Sequence, residues 1–211
     1  MIIAVDGPTA SGKGTIAKAL ARYFGLPHLD TGLLYRAVGR QVELAGGDPD
    51  APSDALAAAD FDDSLLDEPE LRSEAVGGLA SRVSIHPAVR EALFARQRAF
   101  ATQAGGAVLD GRDIGTVIAP DAQVKLYVTA SVEARAQRRY AEMRDSGRAV
   151  TLEEILDNLE RRDARDSARK DAPLTIAPEA LVIDTTSLGK DDAIAAALDM
   201  VNTVTGQQPY P

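Results

Sequence analysis

Apolar residues occur along the chain in two patterns, as short unbroken runs and as longer segments in which they recur at helical spacing. The first run, 2–5, leads into a glycine-bounded loop, and beyond it Ile16, Leu20 and Tyr23 recur at the spacing of a helix. Strands that alternate with helices in this way are typical of an α/β fold. We expect strands near 2–6, 26–29, 107–109, 124–128 and 181–184. We expect helices near 13–24, 31–45, 54–59, 71–83, 88–100, 131–144, 151–169 and 190–201.

The loop after the first strand has the composition of a phosphate-binding loop. Gly7 and Gly12 permit backbone dihedrals that let successive N–H groups turn toward one anion. The next helix directs the positive end of its dipole at the same point, and Lys13 adds a full charge. A glycine-rich turn without a ligand is the alternative, but the flanking strand and helix argue against it. The residues predicted to bind the phosphates of ATP are Gly7, Pro8, Thr9, Ala10, Ser11, Gly12, Lys13, Gly14 and Thr15.

Two residues are candidates for holding Mg²⁺ beside this loop. The general motif has Ser or Thr after the lysine, but Gly14 stands there, so Thr15 supplies the nearest hydroxyl. Asp110 ends an apolar run, which puts a carboxylate at the edge of the sheet where metal and phosphate meet. Either residue could contact the metal directly or through water, and a turn residue before Gly111 is the alternative for Asp110.

Arginine is prominent at two further places. Arg36 lies in the first turns of a predicted helix, where it opposes the dipole, and a bound anion would explain that position better than an exposed surface. Arginine is again concentrated between Arg135 and Arg169, on two charged helices joined by a glycine-containing turn at 145–147. Such a pair is typical of a mobile lid, and guanidinium suits phosphate. A solvated, salt-bridged helix pair is the alternative.

Composition narrows the class of protein. The 211-residue chain has a net charge of −9, which argues against a general nucleic-acid binder. It contains no cysteine, so neither a disulfide nor a thiolate metal site is available. No apolar run approaches the ~18 residues of a membrane span and no leader precedes Ile2, so we expect a cytoplasmic protein without membrane contact. His28 and His86 have no ligand-spaced companions and are interpreted as structural.

Taken together, these motifs resemble those of the bacterial cytidylate kinases, or CMP kinases, over nearly the whole chain. The matching segments are 7–15, 30–32 with 35–36, 89–93 with 96–98, 110–116 and 162–166. The resemblance implies a P-loop NTPase-type three-layer α/β/α core with a five-stranded parallel sheet. It further implies a core of 1–45, 101–134 and 171–205, a monophosphate-binding insert of about 46–100 and an arginine-rich lid of about 135–170. Longer family members carry a β-hairpin where only 61–70 stands here, so we expect a shortened insert.

The resemblance also implies a reaction, the transfer of the γ-phosphoryl group of ATP to CMP or dCMP, with Mg²⁺ as cofactor and a monomeric enzyme. Thr31, Arg36 and Arg112 would grip the acceptor phosphate, and Ser81, Arg90 and Asp113 would read cytosine. The complete set implied for the substrate is Thr31, Tyr35, Arg36, Ser81, Arg90, Asp110, Arg112, Asp113, Arg162, Asp166 and Arg169. The set implied for catalysis is Lys13, Arg112, Arg138, Arg139 and Arg162.

Two other functions stay open on sequence alone. The first is a kinase with the same core and a different small-molecule acceptor. The second is a nucleotide-dependent switch that turns over no acceptor. Arg36, Arg90 and Arg112 favour an anionic acceptor, and the chain has no Asn-Lys-x-Asp motif for reading guanine.

Overall fold

The computed structural model describes residues 1–145 and 147–206. Its centre is a sheet of five parallel strands in the order β2-β3-β1-β4-β5, which confirms the predicted class. The strands are β1 Ile2–Asp6, β2 His28–Asp30, β3 Ala107–Gly111, β4 Val124–Thr129 and β5 Leu181–Asp184. The described helices are α1 Lys13–Phe24, α2 Thr31–Leu44, α3 Pro52–Ala57, α4 Glu74–Val83, α5 Pro87–Ala101, α6 Val132–Asp145, α7 Leu152–Ser167 and α8 Lys190–Thr205. None of them combines the length and apolar character needed to cross a membrane.

The middle strand β1 explains why the apolar runs are unbroken. Successive side chains of a strand point to opposite faces of the sheet. Ile3 and Val5 pack on one face in a cluster with residues of α1 and α8, and Ile2 and Ala4 pack on the other in a cluster with the end of α5. Since both faces are covered, every residue of β1 is buried, and the strand is apolar up to its last residue, Asp6.

Local end signals in the sequence set several helix boundaries. Gly25, in the left-handed region with φ +63°, ends α1, and Pro87 stands in the first turn of α5. Thr151 and Glu154 form the predicted capping box of α7, with N–H···O distances of 3.2 and 2.8 Å. Ser131 accepts from the N–H of Ala134 at 3.1 Å and so caps α6. The predicted break at 145–147 includes residue 146, and the predicted frayed tail begins at 206; residues 146 and 207–211 lie outside the described part.

Helix α4 begins later than the sequence predicted. Pro69 opens a 3₁₀ turn, Pro69–Arg72, and the Ser73 hydroxyl then caps α4 by accepting from the N–H of Val76 at 3.2 Å. The helix predicted from residue 71 therefore starts at Glu74. A second 3₁₀ turn, Asp63–Asp67, precedes it, and the described residues between α2 and β3 form no strand.

The carboxyl ends of β1, β2 and β3 meet at one edge of the sheet, where parallel α/β proteins bind ligands. Asp6 ends β1, and its buried carboxylate accepts from the N–H groups of Ile114 and Gly115 at 2.9 and 2.8 Å. Burial raises the pKa of Asp6 to about 6, against the effect of these hydrogen bonds. This contact fixes the turn that follows β3, Ile114–Ile118, beside the phosphate-binding loop.

Candidate active site

The loop between β1 and α1 owes its shape to its backbone. Gly7 has φ +153°, and a Cβ there would lie 2.0 Å from the carbonyl oxygen of Val128, so a side chain does not fit. Gly12, with φ +91°, is the N-cap residue of α1. Ala10 also has a positive φ of 61°, a conformation that costs a residue with a side chain ~1–2 kcal/mol. The loop is therefore held in front of the positive end of α1, a geometry that binds anions.

Lys13, the first residue of α1, places an ammonium group inside this loop. Its Nζ donates to the carbonyl of Pro8 at 3.3 Å. Burial and, to a smaller extent, the charge of Arg112 lower the pKa of Lys13 to about 8, against the opposing charges of three nearby carboxylates. Within the described residues no carboxylate lies at salt-bridge distance from Nζ, so the ammonium is available to a bound anion.

Asp30 and Asp110 line the cleft beside the loop, and His28 pairs with Asp110. His28 Nε2 lies 2.7 Å from Asp110 Oδ1. The other oxygen of Asp110 borders the loop, since a Cβ on Gly14 would lie 3.5 Å from it. Burial and the charge of Asp110 both raise the pKa of Asp30, so the two carboxylates repel each other. A cation bound here would relieve that repulsion.

These residues fit the predicted magnesium site. Asp110 is buried at the loop, and Thr15 lies on the first turn of α1. Among the described residues no cluster of three or more metal-ligating side chains forms a complete cage. Mg²⁺ does not require one, because it usually keeps several waters and binds through one or two carboxylates and the phosphates of its nucleotide. Asp110 and Thr15 would hold it in this way.

A cluster of four arginines adjoins the loop; we call Arg36, Arg112, Arg162 and Arg169 the acceptor cluster. Arg112 links it to the loop, because Nη2 donates to the Thr9 hydroxyl at 2.7 Å and Nε to Asp166 at 2.9 Å. Asp166 also pairs with Arg169 at 2.5 Å. Burial opposes the charge of Asp166, but these two guanidinium groups hold its pKa below the usual range. The cluster is thus organised by a buried carboxylate.

Arg36 and Arg162 complete the acceptor cluster. Arg36 is half-buried and donates to the carbonyls of Leu71 and Ser73 at 2.6 and 2.8 Å, so it is not an exposed surface arginine. Arg162 is buried, and burial lowers its pKa to about 10. Its Nε is a buried donor without a partner among the described residues. Buried guanidinium groups with unused donors favour a bound anion.

The residues predicted to read cytosine lie along one wall of the same cleft. Arg90 forms an ion pair with Asp113 and stands 5.7 Å from the centre of the Tyr35 ring. Burial raises the pKa of Asp113, and Arg90 opposes that shift. Ser81 accepts a hydrogen bond from Arg165 at 2.6 Å. Donors and acceptors are therefore present on this wall, and Arg165, which lies in the matched segment 162–166 but was given no role, holds Ser81 from outside the lining of the cleft.

The arginines of the two charged helices divide into different roles. Arg135 is buried and donates to the carbonyl of Thr9 at 3.1 Å and to Asp163 at 2.5 Å, so it supports the loop from behind. Arg138 donates to the Thr185 hydroxyl at 3.0 Å. Arg139 pairs with Glu142 at 2.9 Å. Arg139 therefore forms one of the salt bridges that the alternative of a salt-bridged helix pair predicted, and it also faces the cleft.

Most of these groups line one cleft of about 800 Å³, whereas His28, Arg135 and Arg165 lie outside its lining. Gly7 and Pro8 are the predicted residues outside its lining, since they support the loop from the sheet side. The predicted residues brought together are Thr9, Ala10, Ser11, Gly12, Lys13, Gly14, Thr15, Thr31, Tyr35, Arg36, Ser81, Arg90, Asp110, Arg112, Asp113, Arg138, Arg139, Arg162, Asp166 and Arg169. Sequence reasoning missed Asp30, Glu74, Thr185 and Lys190, which line it as well.

The parallel sheet with a phosphate-binding loop after its first strand defines the class of P-loop NTPases. Residues 3–203 match the family model described as cytidylate kinase. A protein from Caulobacter sp. (strain K31), named cytidylate kinase, is 52% identical over 100% of this chain and 98% of its own. One of the same name from Granulibacter bethesdensis is 55% identical over 95% and 96%. The chain therefore belongs to the cytidylate kinase family.

Solved structures add to the fold alone. The crystal structure of an uncharacterized protein from Eubacterium ventriosum covers 96% of this chain and 99% of that chain with a TM-score of 0.53. At 15% sequence identity this likeness supports the architecture and carries nothing about substrates.

Proposed function

We propose that this protein transfers the γ-phosphoryl group of ATP to CMP or dCMP, giving ADP and CDP or dCDP. The observation that carries the proposal is the placement of a phosphate-binding loop and the acceptor cluster in one cleft, joined by the contact between Arg112 and Thr9. A nucleotide-dependent switch needs the first feature and has no use for the second. Relatives about half identical over their whole length, all named cytidylate kinase, agree with it.

The donor phosphates would lie in the loop, with the backbone N–H groups and Lys13 around them. The acceptor phosphate would replace the carbonyls of Leu71 and Ser73 and the buried carboxylates as partner of Arg36, Arg112 and Arg162. Thr31 would add its hydroxyl, which now donates to the carbonyl of Asp110 at 2.8 Å. Two phosphate groups held from opposite ends by fixed donors would meet in line, which is the main requirement of phosphoryl transfer.

The chemistry needs no general base. A phosphate oxygen of the acceptor, already ionised at neutral pH, attacks the γ-phosphorus, and the bond from that phosphorus to the bridging β–γ oxygen breaks, so ADP leaves. Lys13 and the arginines would stabilise the negative charge spread over the transferring group. Bound Mg²⁺, held by Asp110 and Thr15, would supply further charge neutralisation on the nucleotide phosphates. Arg138 and Arg139 of the lid would exclude water.

Base selection would depend on the Arg90–Asp113 pair. Asp113 can accept from the exocyclic amine of cytosine, and Arg90 or Ser81 can donate to the ring acceptors. Uracil has a carbonyl in place of that amine, which would present the buried Asp113 with an acceptor where cytosine presents a donor. We therefore expect CMP to be preferred over UMP by ~1–3 kcal/mol, or about 5- to 150-fold in kcat/KM.

The test is a panel of nucleoside monophosphates in an assay that couples ADP release to a spectroscopic signal. CMP and dCMP should give the highest kcat/KM, and equal rates with UMP would contradict the role of Asp113. ADP release with a non-nucleotide acceptor alone would favour the rival kinase. ATP binding without turnover of any acceptor would favour the switch.

Arg112→Ala tests the arginine that links the two proposed phosphate sites. We expect turnover to fall by ~10³-fold or more, because arginine contacts to a transferring phosphoryl group are worth ~10³–10⁵ in rate. The circular dichroism spectrum and melting temperature should show a folded protein. A folded variant with near-normal activity would refute the proposed site.

We also propose that the enzyme acts as a cytoplasmic monomer on free nucleotides. Gel filtration of the full chain with and without CMP would test the oligomeric state.

A further inference from the structure

Glu74 connects three elements of the molecule through its carboxylate. It is the first residue of α4 in the insert, next to the capping residue Ser73. Its Oε1 pairs with Arg139 of α6, and its Oε2 lies 3.5 Å from Nη1 of Arg162 of α7. One carboxylate of the insert therefore reaches both helices of the lid.

The surroundings make this contact more than a surface ion pair. The side chain of Glu74 is 24% exposed, that of Arg139 23% and that of Arg162 only 8%. Burial opposes the charge of Arg139, but Glu74 and Glu142 raise its pKa above the ordinary value. Partly buried charge pairs keep more of their attraction than exposed ones, because less water screens them.

A glycine makes room for this arrangement. Gly77 lies one turn after Glu74 on α4, and a Cβ there would lie 2.9 Å from Nη2 of Arg36 and 3.2 Å from Nη1 of Arg162. Burial lowers the pKa of Arg36, and Glu74 is the strongest of the charges that oppose this shift. Glu74 thus stands among three guanidinium groups, of which Arg36 and Arg162 belong to the acceptor cluster and Arg139 to α6 and to the set implied for catalysis.

A favourable interaction with the dipole of α4 is the ordinary reason for an acid at this position. That explanation requires nothing of the partners of Glu74. It does not account for a carboxylate whose two contacts come from two other helices. Ser81 and Ser84 of the same α4 region also bind Arg165 and Arg169, so the contact surface between insert and lid continues beyond Glu74.

We propose that Glu74 is a positioning residue that couples acceptor binding to donor binding, an inference that rests on the proposed function. An acceptor phosphate on Arg36 of α2 and Arg162 of α7 fixes α2 against α7, and with it α4, which packs on α2. Glu74 moves with α4 and holds Arg139, so α6 is carried into the position in which Arg139 meets the donor phosphates. Such coupling is reciprocal, since each nucleotide must strengthen the binding of the other by the same factor.

The experiment measures that factor by calorimetry, as the ratio of dissociation constants for the β,γ-imido analogue of ATP without and with saturating CMP. For the unaltered protein we expect a factor within the ~5- to 150-fold range of allosteric coupling. Glu74→Gln keeps the size of the side chain and removes the charge, and we expect the factor to fall to about twofold or less. The ratio is unaffected by a change that weakens each nucleotide separately, so a merely structural role would not lower it.

Glu142→Gln is the matched control. Glu142 pairs with the same Arg139 at 2.9 Å, but it lies on the same helix and joins no second element. We expect its coupling factor to stay within about twofold of that of the unaltered protein. If Glu142→Gln lowers the factor as much as Glu74→Gln, then losing either carboxylate beside Arg139 has the same effect. The connection from α4 to α6 is then not required, and the inference fails.

The remaining outcomes are also decisive. Arg139→Gln should lower the factor to the value of Glu74→Gln, and the double variant should lower it no further, because both remove one contact. A coupling factor that survives Glu74→Gln overturns the inference, as does a protein that phosphorylates CMP while binding the two nucleotides independently. A protein that neither binds nor phosphorylates CMP contradicts the proposed function itself, and the panel of monophosphates detects that result separately.

Discussion

The two ends of the cleft are built in different ways. At the donor end, nine consecutive residues form the loop, and main-chain geometry gives it its shape, as the φ of +153° and the close approach to Val128 at Gly7 show. At the acceptor end, four arginines arrive from α2, the turn after β3, α7 and the segment just after it. The carboxylates of Asp166 and Glu74 hold three of them, and two main-chain carbonyls hold Arg36.

This difference has a physical consequence. A main-chain loop keeps its arrangement whether or not an anion is bound, because changing it would require new backbone dihedrals. Guanidinium groups paired with carboxylates can exchange one anion for another, since the phosphate of a substrate can take the place of a carboxylate. The donor end is therefore preorganised, and the acceptor end is an arrangement that binding can adjust.

Replacing Lys13 tests the donor end and should have the largest effect. Lys13→Met keeps most of the apolar stem and removes the charge inside the loop. We expect kcat/KM to fall by ~10³-fold or more, because a major source of charge stabilisation for the transferring group is lost. Arg22→Met is the matched control, since Arg22 is an exposed cation at the far end of the same α1 and lies outside the lining of the cleft, and it should retain activity within about threefold of the unaltered protein. A Lys13→Met protein within about tenfold of normal would contradict the preorganised donor site.

Adding one methyl group to α4 tests the adjustable end. A Cβ at Gly77 would meet the ends of Arg36 and Arg162 at 2.9 and 3.2 Å. These side-chain ends can move, and alanine favours a helix over glycine by ~0.5–1 kcal/mol, so Gly77→Ala should leave the melting temperature unchanged or slightly raised. The KM for CMP should rise about tenfold or more, as expected for losing a charged hydrogen bond of ~1.5–3 kcal/mol.

Gly78→Ala supplies the control for that substitution. Gly78 is the next residue of the same helix, and a Cβ there would have nothing within 4 Å. The helix gains the same propensity, so the melting temperature should respond alike while the KM for CMP stays within about twofold. Equal KM values for both variants and the unaltered protein would show that Arg36 and Arg162 do not hold the acceptor where the cluster lies.

The same contrast explains what the sequence could predict. The loop, its strand and its helix are contiguous, so spacing alone identified them, and local end signals such as Gly25 and the Thr151–Glu154 box were read correctly. The two central strands β1 and β3 were predictable, because they are buried along their whole length and form apolar runs. The edge strands β2 and β5 are only partly buried, and β2 begins at His28, two residues later than predicted. The predicted start of α4 was wrong by three residues. The pattern of apolar positions was given more weight than Pro69, which opens a 3₁₀ turn, and Ser73, which caps the helix.

The acceptor end could be predicted only in part, and through resemblance. Family motifs pointed to Arg36, Arg112 and Arg162, but nothing local to the sequence showed that Glu74 would stand between them. Likewise the pairing of His28 with Asp110 joins residues 82 positions apart, and only the parallel pairing of β2 with β3 brings them together. Roles that depend on partners from distant elements require the packed structure, because the sequence gives no spacing rule for them.

The smallest expected effect is a pH dependence that belongs to the donor end. Burial lowers the pKa of Lys13 from 10.5 to about 8, so its ammonium is charged below that pH and loses its proton above it. If only the charged form attracts the donor phosphates, the dissociation constant of the imido analogue in metal-free buffer should rise about tenfold between pH ~7 and ~9, because the protonated fraction falls by that factor. Phosphate oxygens, whose second pKa is about 6, are already ionised and contribute little. The affinity for CMP alone, measured by the same titration, should change less, since arginines stay protonated throughout.

Lys13→Met supplies the control for this pH dependence. Its affinity for the analogue should be weaker than that of the unaltered protein and should not change with pH. A profile that is flat in the unaltered protein, or equally steep in the variant, would show that another group titrates and that the loop binds phosphate without help from its lysine.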